Sequence, residues 1–377
     1  MCIVTSNRIL WSSVVVLILA CQASAAEQYV VASCAEVSVP QGPCIIERLD
    51  IENGECRQEL SIPLIGGVWR IEGYPHQRKL ILWAEQKGEK NAYVIALDMD
   101  DLSSLTMDLP FSAISKGMLL DHPEHGMSLV GIGLDNESLP FLHSLTDGTS
   151  KREKSEEIPW ENVLLLGSSK RRAWNSFAFP YMIMKDSGKM INHIEKHKYP
   201  INVSLDEESR ALMRASSADW FAGLRCIDKN QMVFFVRGGG ERNKSHQCFT
   251  FDKGTGKWRH FETKENDSSI QMFDEWLIVQ EARTLKPHTE APPTGEFGFH
   301  QRDGKGHFYW KATPDTEVLA IEGSRLFYRQ GCQLMTADIE ANRIINERVL
   351  FKSDDPKIQK ILEQVHWLFA MNAPKQP

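Results

Sequence analysis

The sequence predicts an all-β fold of the β-propeller kind. Three observations carry it: one stretch that reads as a four-stranded meander, weaker copies of that stretch upstream, and unpartnered strands at both ends of the chain. The clearest stretch is Val318–Phe351. Val318–Glu322 is a short apolar run closed by Gly323 and Ser324, and Arg325–Arg329 is a second run. Gln330-Gly331 supplies the permissive backbone that a tight hairpin turn needs. Gln333–Ile339, the turn Glu340–Arg343 and Ile344–Phe351 complete the meander. A lone four-stranded sheet cannot bury both of its faces, so it requires like neighbours around an axis.

The upstream copies follow in order. Tyr29–Ser33, Cys44–Ile51 and Cys56–Ile62 read as three strands, the last two joined at Asn53-Gly54. The next unit opens at Val68–Gly73, which parallels Val318–Gly323, and continues through Lys79–Ala84, Ala92–Asp98 and Leu105–Leu109. Asp98–Asp101 lacks the glycine and terminal glutamate of a calcium loop and reads as a hairpin turn. A third unit runs from Met118 to Trp160, with the charged run Lys151–Glu157 as a solvated loop. Val163–Gly167, Phe177–Lys185 and Lys189–Lys198 start a fourth, followed by a short helix within Glu207–Ser217. The fifth comprises Phe221–Ile227, Gln231–Arg237, Gln247–Asp252 and Lys257–Thr263, and the sixth runs from Ile270 to Ala312.

Ile81, Val130, Met182, Phe234, Ile278 and Phe327 occupy the second strand of successive units, so the period is roughly 40 to 50 residues. A sandwich needs no such period. Past the last unit, Pro356–Gln364 reads as a short helix and Val365–Ala370 as a strand without following partners. Joined to the three N-terminal strands it makes a composite blade that closes the ring and removes its edges. The expectation is therefore seven four-stranded blades, with six or eight as alternatives, in one domain over 26–377.

Residues 1–25 read as a signal peptide. Arg8 precedes the apolar Ile9–Ala20, and Ala23-Ser24-Ala25 offers a small-x-small cleavage site. Ile18-Leu19-Ala20-Cys21 competes as a lipobox with Cys21 lipidated. No later run is long enough for a transmembrane span. The expected location is the periplasm or the extracellular space. A net charge of −7 gives no basic field for nucleic acid. Among the cysteines past the leader, Cys34 and Cys44 flank a proline-containing loop and are the preferred disulfide.

The stretch Ser324–Phe351, followed by Val365–Phe369, resembles the TolB-like and kelch-like propeller repeats of exported bacterial proteins. Phe251-Asp252 and Asp338-Ile339, each just before a turn, are its most specific marks. The resemblance covers the chain as an architecture and implies a rigid scaffold whose loops bind a ligand. None of the family's active-site motifs matches, so it carries over no catalytic residue.

Chemistry is sparsely marked. Gly167-Ser168-Ser169 lacks the flanking glycine of a nucleophile elbow. His122-Pro-Glu-His125 places two imidazoles in one turn and is the metal candidate, against the plainer reading as an exposed polar turn. His193 and His197 lie on a segment read as a strand, where about 3.3 Å per residue holds them too far apart to share an ion. No cofactor motif is present. Gly238–Gly240 between Arg237 and Arg242 suits an anion but lacks the following helix of a phosphate loop. The long connections Arg237–Ser245 and Leu285–Gly295 are the expected functional loops, with Arg237, Arg242, Lys286 and His288 as ligand-binding residues. Two functions fit: an exported, non-catalytic binding or scaffold module for a protein or glycan, or a propeller hydrolase or lyase. Convergence of three or more of His122, His125, Arg225, His288, Glu322 and His366 would favour the enzyme.

Overall fold

The computed structural model is a β-propeller in which successive residues of one strand can face opposite neighbouring sheets. The structure describes residues 28–34, 44–50, 55–62, 68–74, 77–85, 92–108, 114–133, 141–153, 157–159, 162–164, 170–171, 181–184, 190–192, 204–216, 221–236, 246–264, 268–273, 275–282 and 293–370. The leader and its cleavage site lie outside them, as do Arg237, Arg242, Lys286, His288, His193 and His197.

Six sheets are formed among the described residues. The first combines β1 (Gln28–Cys34), β2 (Cys44–Asp50) and β3 (Glu55–Ile62) with the C-terminal β28 (Val365–Ala370). The second is β4 (Val68–Tyr74), β5 (Lys79–Glu85), β6 (Ala92–Asp98) and β7 (Ser104–Asp108). The third is β8 (Ile114–His122), β9 (Gly126–Gly133), β10 (Phe141–Ser144) and β11 (Ser150–Arg152). Between the third and fourth meanders run four short strands: β12 (Val163–Leu164), β13 (Lys170–Arg171), β14 (Tyr181–Met184) and β15 (Met190–Asn192). The fourth sheet is built on β16 (Phe221–Ile227), β17 (Gln231–Val236), β18 (His246–Asp252) and β19 (Trp258–Thr263). The fifth holds β20 (Ser269–Met272), β21 (Trp276–Ala282), β22 (Pro293–Gln301) and β23 (His307–Lys311). The sixth holds β24 (Thr316–Glu322), β25 (Arg325–Gln330), β26 (Gln333–Glu340) and β27 (Arg343–Phe351). Five are thus consecutive four-stranded meanders, and the first is the composite, with Tyr29 to Ala32 paired against Ala370 to Trp367.

The expected seven blades are not found. Among the described residues, the stretch read as a fourth unit forms no sheet of its own. β12 pairs with β8 in the third sheet, β13 with β4 in the second, and β14 with β16 in the fourth. These strands span two to four residues each, too short for a free-standing sheet, so they extend existing edges. The charged run from Lys151 also departs from expectation. Ser150–Arg152 is the outer strand β11, and only its continuation leaves the sheet. Among the described residues, helices occur at Glu207–Ser216 and Pro356–Leu362, the second capped by the Asp355 carboxylate on the Lys357 amide.

Adjacent residues of one strand serve opposite neighbours. Leu119 packs toward the second sheet, whereas Met118 and Leu120 join Leu224, Met232 and Phe234 of the fourth. Leu224 faces the third sheet, and Cys226 faces Leu277 and Val279 of the fifth. Phe299 and Trp310 meet Tyr328 of the sixth, while Phe327 packs on Tyr29 and Leu368 of the composite sheet. Trp367 of β28 in turn lies against Gly73 of the second sheet. No described helix is long and apolar enough to cross a membrane.

Candidate functional site

In an antiparallel meander the first-to-second and third-to-fourth turns share one end of the sheet, and the second-to-third connection sits at the other. The described turns of the fourth, fifth and sixth sheets together line a groove on the first of these ends. Its larger part has a volume of about 640 Å³ and is walled by Lys229, Asn230 and Gln231, by Asp252 and Gly254, and by Glu275, Gln301, Arg302 and Asp303. A smaller part of about 240 Å³ shares Glu275 and Gln301 and runs on past Ser324 to Asn342.

The turns are rigid for stated reasons. Asp228 accepts the amides of Asn230 and Gln231, both at 2.8 Å. Asp252 accepts the Thr255 amide at 2.7 Å and the Thr255 hydroxyl at 2.8 Å, and those bonds hold its carboxyl below the usual carboxylate range. The backbone then locks turn to turn: the Lys253 amide donates to Asn230 O, and the Arg302 amide to Glu275 O. The same bond recurs from Met99 to Arg78 and from Ile339 to Ser324.

Arg302 joins two blades at the groove floor. Its guanidinium pairs with Asp228 at 2.6 Å, both side chains being 13 % exposed. It also donates to Gln231 Oε1 at 3.2 Å and to Phe273 O at 3.3 Å, and its carbonyl accepts from Arg259 and Gln231. The ion pair is therefore structural. Lys229 and Glu275 are exposed and free to meet a ligand of mixed charge or a hydroxyl-rich one.

The expected site residues are placed as follows. His122 and His125 lie in the turn between β8 and β9 with ring centroids 4.6 Å apart. His122 Nδ1 accepts the amides of Glu124 and His125, at 3.1 and 3.2 Å, so the ring caps the turn. Burial, and next the neighbouring His125, push its pKa down. The Lys151 ammonium sits 2.9 Å from His125 Nε2, where an ion would have to bind. Among the described residues no three His, Cys, Asp or Glu side chains converge as a metal site. Cys34 and Cys44 are direct partners in the β1–β2 ladder. Arg237, Arg242, Lys286 and His288 lie outside the described residues.

A second polar cluster gathers around His366, whose partners Glu317 and Arg329 sequence reading missed. At the start of the inner strands β24 and β28, Glu317 accepts Arg329 Nη2 at 2.8 Å, and both carboxylate oxygens lie 3.2 Å from His366 Nδ1. Arg225, by contrast, lies over the Phe235 ring at 5.7 Å. The signal that could have found the groove is the recurring polar residue closing each third strand: Asp98, Ser144, Asp252 and Gln301, each followed by a turn.

No protein-family model matches the chain, and no curated protein does. Solved structures of propeller proteins resemble it along most of its length. TolB from Acinetobacter baumannii shares 11 % identity at a TM-score of 0.37, covering 93 % of this chain and 74 % of that one. The periplasmic gluconolactonase PpgL of Pseudomonas aeruginosa shares 11 % at 0.44, covering 92 % and 99 %. A prolyl endopeptidase shares 10 % at 0.44, covering 93 % of this chain and 51 % of its own.

Proposed function

We propose that the chain is an exported binding module whose ring is closed by the composite first sheet and whose ligand, a protein segment or a glycan, lies along the turn-face groove. The observation that carries this reading is the groove itself. It spans the turns of three blades, and its fixed charges are spent on one another, as in Arg302–Asp228, leaving an outer rim of Lys229, Asn230, Glu275 and Gln301. Rigid walls with a few exposed polar groups suit recognition rather than bond breaking. The test is binding of the purified chain to peptide and oligosaccharide arrays, repeated with the Lys229→Ala/Glu275→Ala double variant. Loss of the wild-type hits with an unchanged melting temperature supports the groove; hits that survive place the ligand elsewhere.

One observation favours the second reading, a hydrolase. His366 is oriented through Nδ1 by the Glu317 carboxylate, the arrangement that prepares an imidazole to act as a base. Turnover of fluorogenic glycosides or peptides that is abolished in His366→Gln would replace the binding reading with this one. Export is part of the proposal, and N-terminal mass analysis tests it: Ala26 as first residue indicates plain secretion, and a diacylglyceryl Cys21 indicates a lipid anchor.

A further inference from the structure

The flank of the fifth sheet that faces the fourth carries a cluster that the groove does not use. Phe297, Phe299, Phe308 and Trp310 fill the core toward the sixth sheet. Strand alternation therefore turns Glu296, Gly298 and His300 of β22, with His307, Tyr309 and Lys311 of β23, to the other face. There His300 and His307 are direct cross-strand partners, with rings 11° from parallel and centroids 5.8 Å apart. Opposed residues of an antiparallel pair have Cβ atoms about 5 Å apart, a span that two imidazoles can close around one ion.

The surroundings prepare the pair. Phe261 of β19 stacks on His300 at 3.9 Å and 19°, bracing the ring from the fourth sheet. Gly298 adds no side chain beside it; a Cβ there would come within 3.0 Å of His300 Nε2. Tyr309 stands edge-on to both imidazoles at 6.4 and 6.3 Å. His307 is exposed, which gives solutes access.

We propose that His300 and His307 form a two-imidazole site for a divalent transition ion, Cu²⁺ foremost, with water completing the coordination. Imidazole nitrogen suits copper, nickel and zinc, and at a given site affinity peaks at copper. No third His, Cys, Asp or Glu joins them among the described residues, so the ion is exchangeable and keeps open positions.

The test is calorimetric titration of the full chain with CuCl₂ in a non-chelating buffer near neutral pH, alongside electron paramagnetic resonance. The expected result is one equivalent bound at this site with hyperfine splitting from two imidazole nitrogens. His307→Asn should weaken that equivalent at least about tenfold, since even an indirect partner of a ligand is worth that much. His307 is exposed, so the variant keeps its fold, which its melting temperature verifies. His125→Gln should leave the equivalent in place. Absence of binding, binding that survives His307→Asn, or binding removed by His125→Gln would overturn the proposal.

Discussion

Gly73→Ala tests how the composite sheet docks on the second one. Gly73 lies in β4 and shows no left-handed backbone, so alanine is conformationally acceptable there. Space is the obstacle. An added Cβ would stand 2.1 Å from Trp367 Cδ1, 2.6 Å from Nε1 and 2.8 Å from Cγ. Normal carbon contacts need about 3.5–4.0 Å, so the indole must retreat by more than ~1 Å. Trp367 is 2 % exposed and has nowhere to go without parting the two sheets. Overpacking costs about 1–3 kcal/mol, and displacing the indole altogether approaches the ~3–5 kcal/mol of truncating a buried aromatic. A value of about 3 kcal/mol corresponds to a drop of roughly 4 °C in melting temperature for a cooperative chain of this size. Differential scanning calorimetry measures it, and near-ultraviolet circular dichroism reports the indole. Adding Trp367→Phe to the variant should recover much of the loss, because the smaller ring vacates the space. It also removes an indole N–H that is buried without an acceptor among the described residues. A Gly73→Ala melting temperature within about 1 °C of wild type would refute the packing of Trp367 on Gly73.

Three further outcomes are expected. Arg302→Ala strands Asp228 in a site only 13 % exposed and removes bonds to Gln231 and Phe273, so the urea midpoint should fall by the equivalent of about 3 kcal/mol; an unchanged midpoint refutes its bridging role. Peptide mapping should find Cys34 joined to Cys44, their backbones being register partners, and reduction should cost roughly 2–3 kcal/mol; alkylation of both in the native protein refutes the bridge. The half-buried His300 has a folded pKa of about 4, below its unfolded value of about 6.5, so the unfolded state binds the extra proton between them. Stability is therefore full above pH ~6.5 and falls by up to ~3 kcal/mol as the pH drops toward ~4, measured as the urea midpoint against pH. His300→Gln should flatten that slope, and an unaltered slope assigns it to other groups.

Much of the fold was legible because local rules and the global one agree. Gly323, Gly331 and the pair Ala341-Asn342 have left-handed backbone at the turns of the last meander, where hairpin chemistry demands it. The composite sheet was legible too, since Val365–Ala370 has no sequence-adjacent partner. The blade count failed at Val163–Asn192, where short strands join other sheets: Val163–Leu164 and Lys170–Arg171 add to sheets begun earlier in the chain, and Tyr181–Met184 adds to the sheet built on β16. A periodic ruler counts runs and cannot tell a nucleating strand from one that patches an edge. Ser150–Arg152 shows the converse, since an outer strand with one wet face tolerates charge and reads as loop. The groove stayed hidden because Lys229, Glu275 and Arg302 are ordinary turn residues, adjacent only once two blades stand side by side. Loop length drew attention instead to Arg237–Ser245 and Leu285–Gly295.

The pairing of β28 with β1 also sets an order of events. Val30 and Phe369 are register partners although they lie far apart in the sequence. Each middle meander can form as soon as its own strands are available, because its contacts are local. The first sheet cannot. Its β1 edge stays open, with Tyr29 and Val31 uncovered, until Val365–Ala370 is available to pair with it.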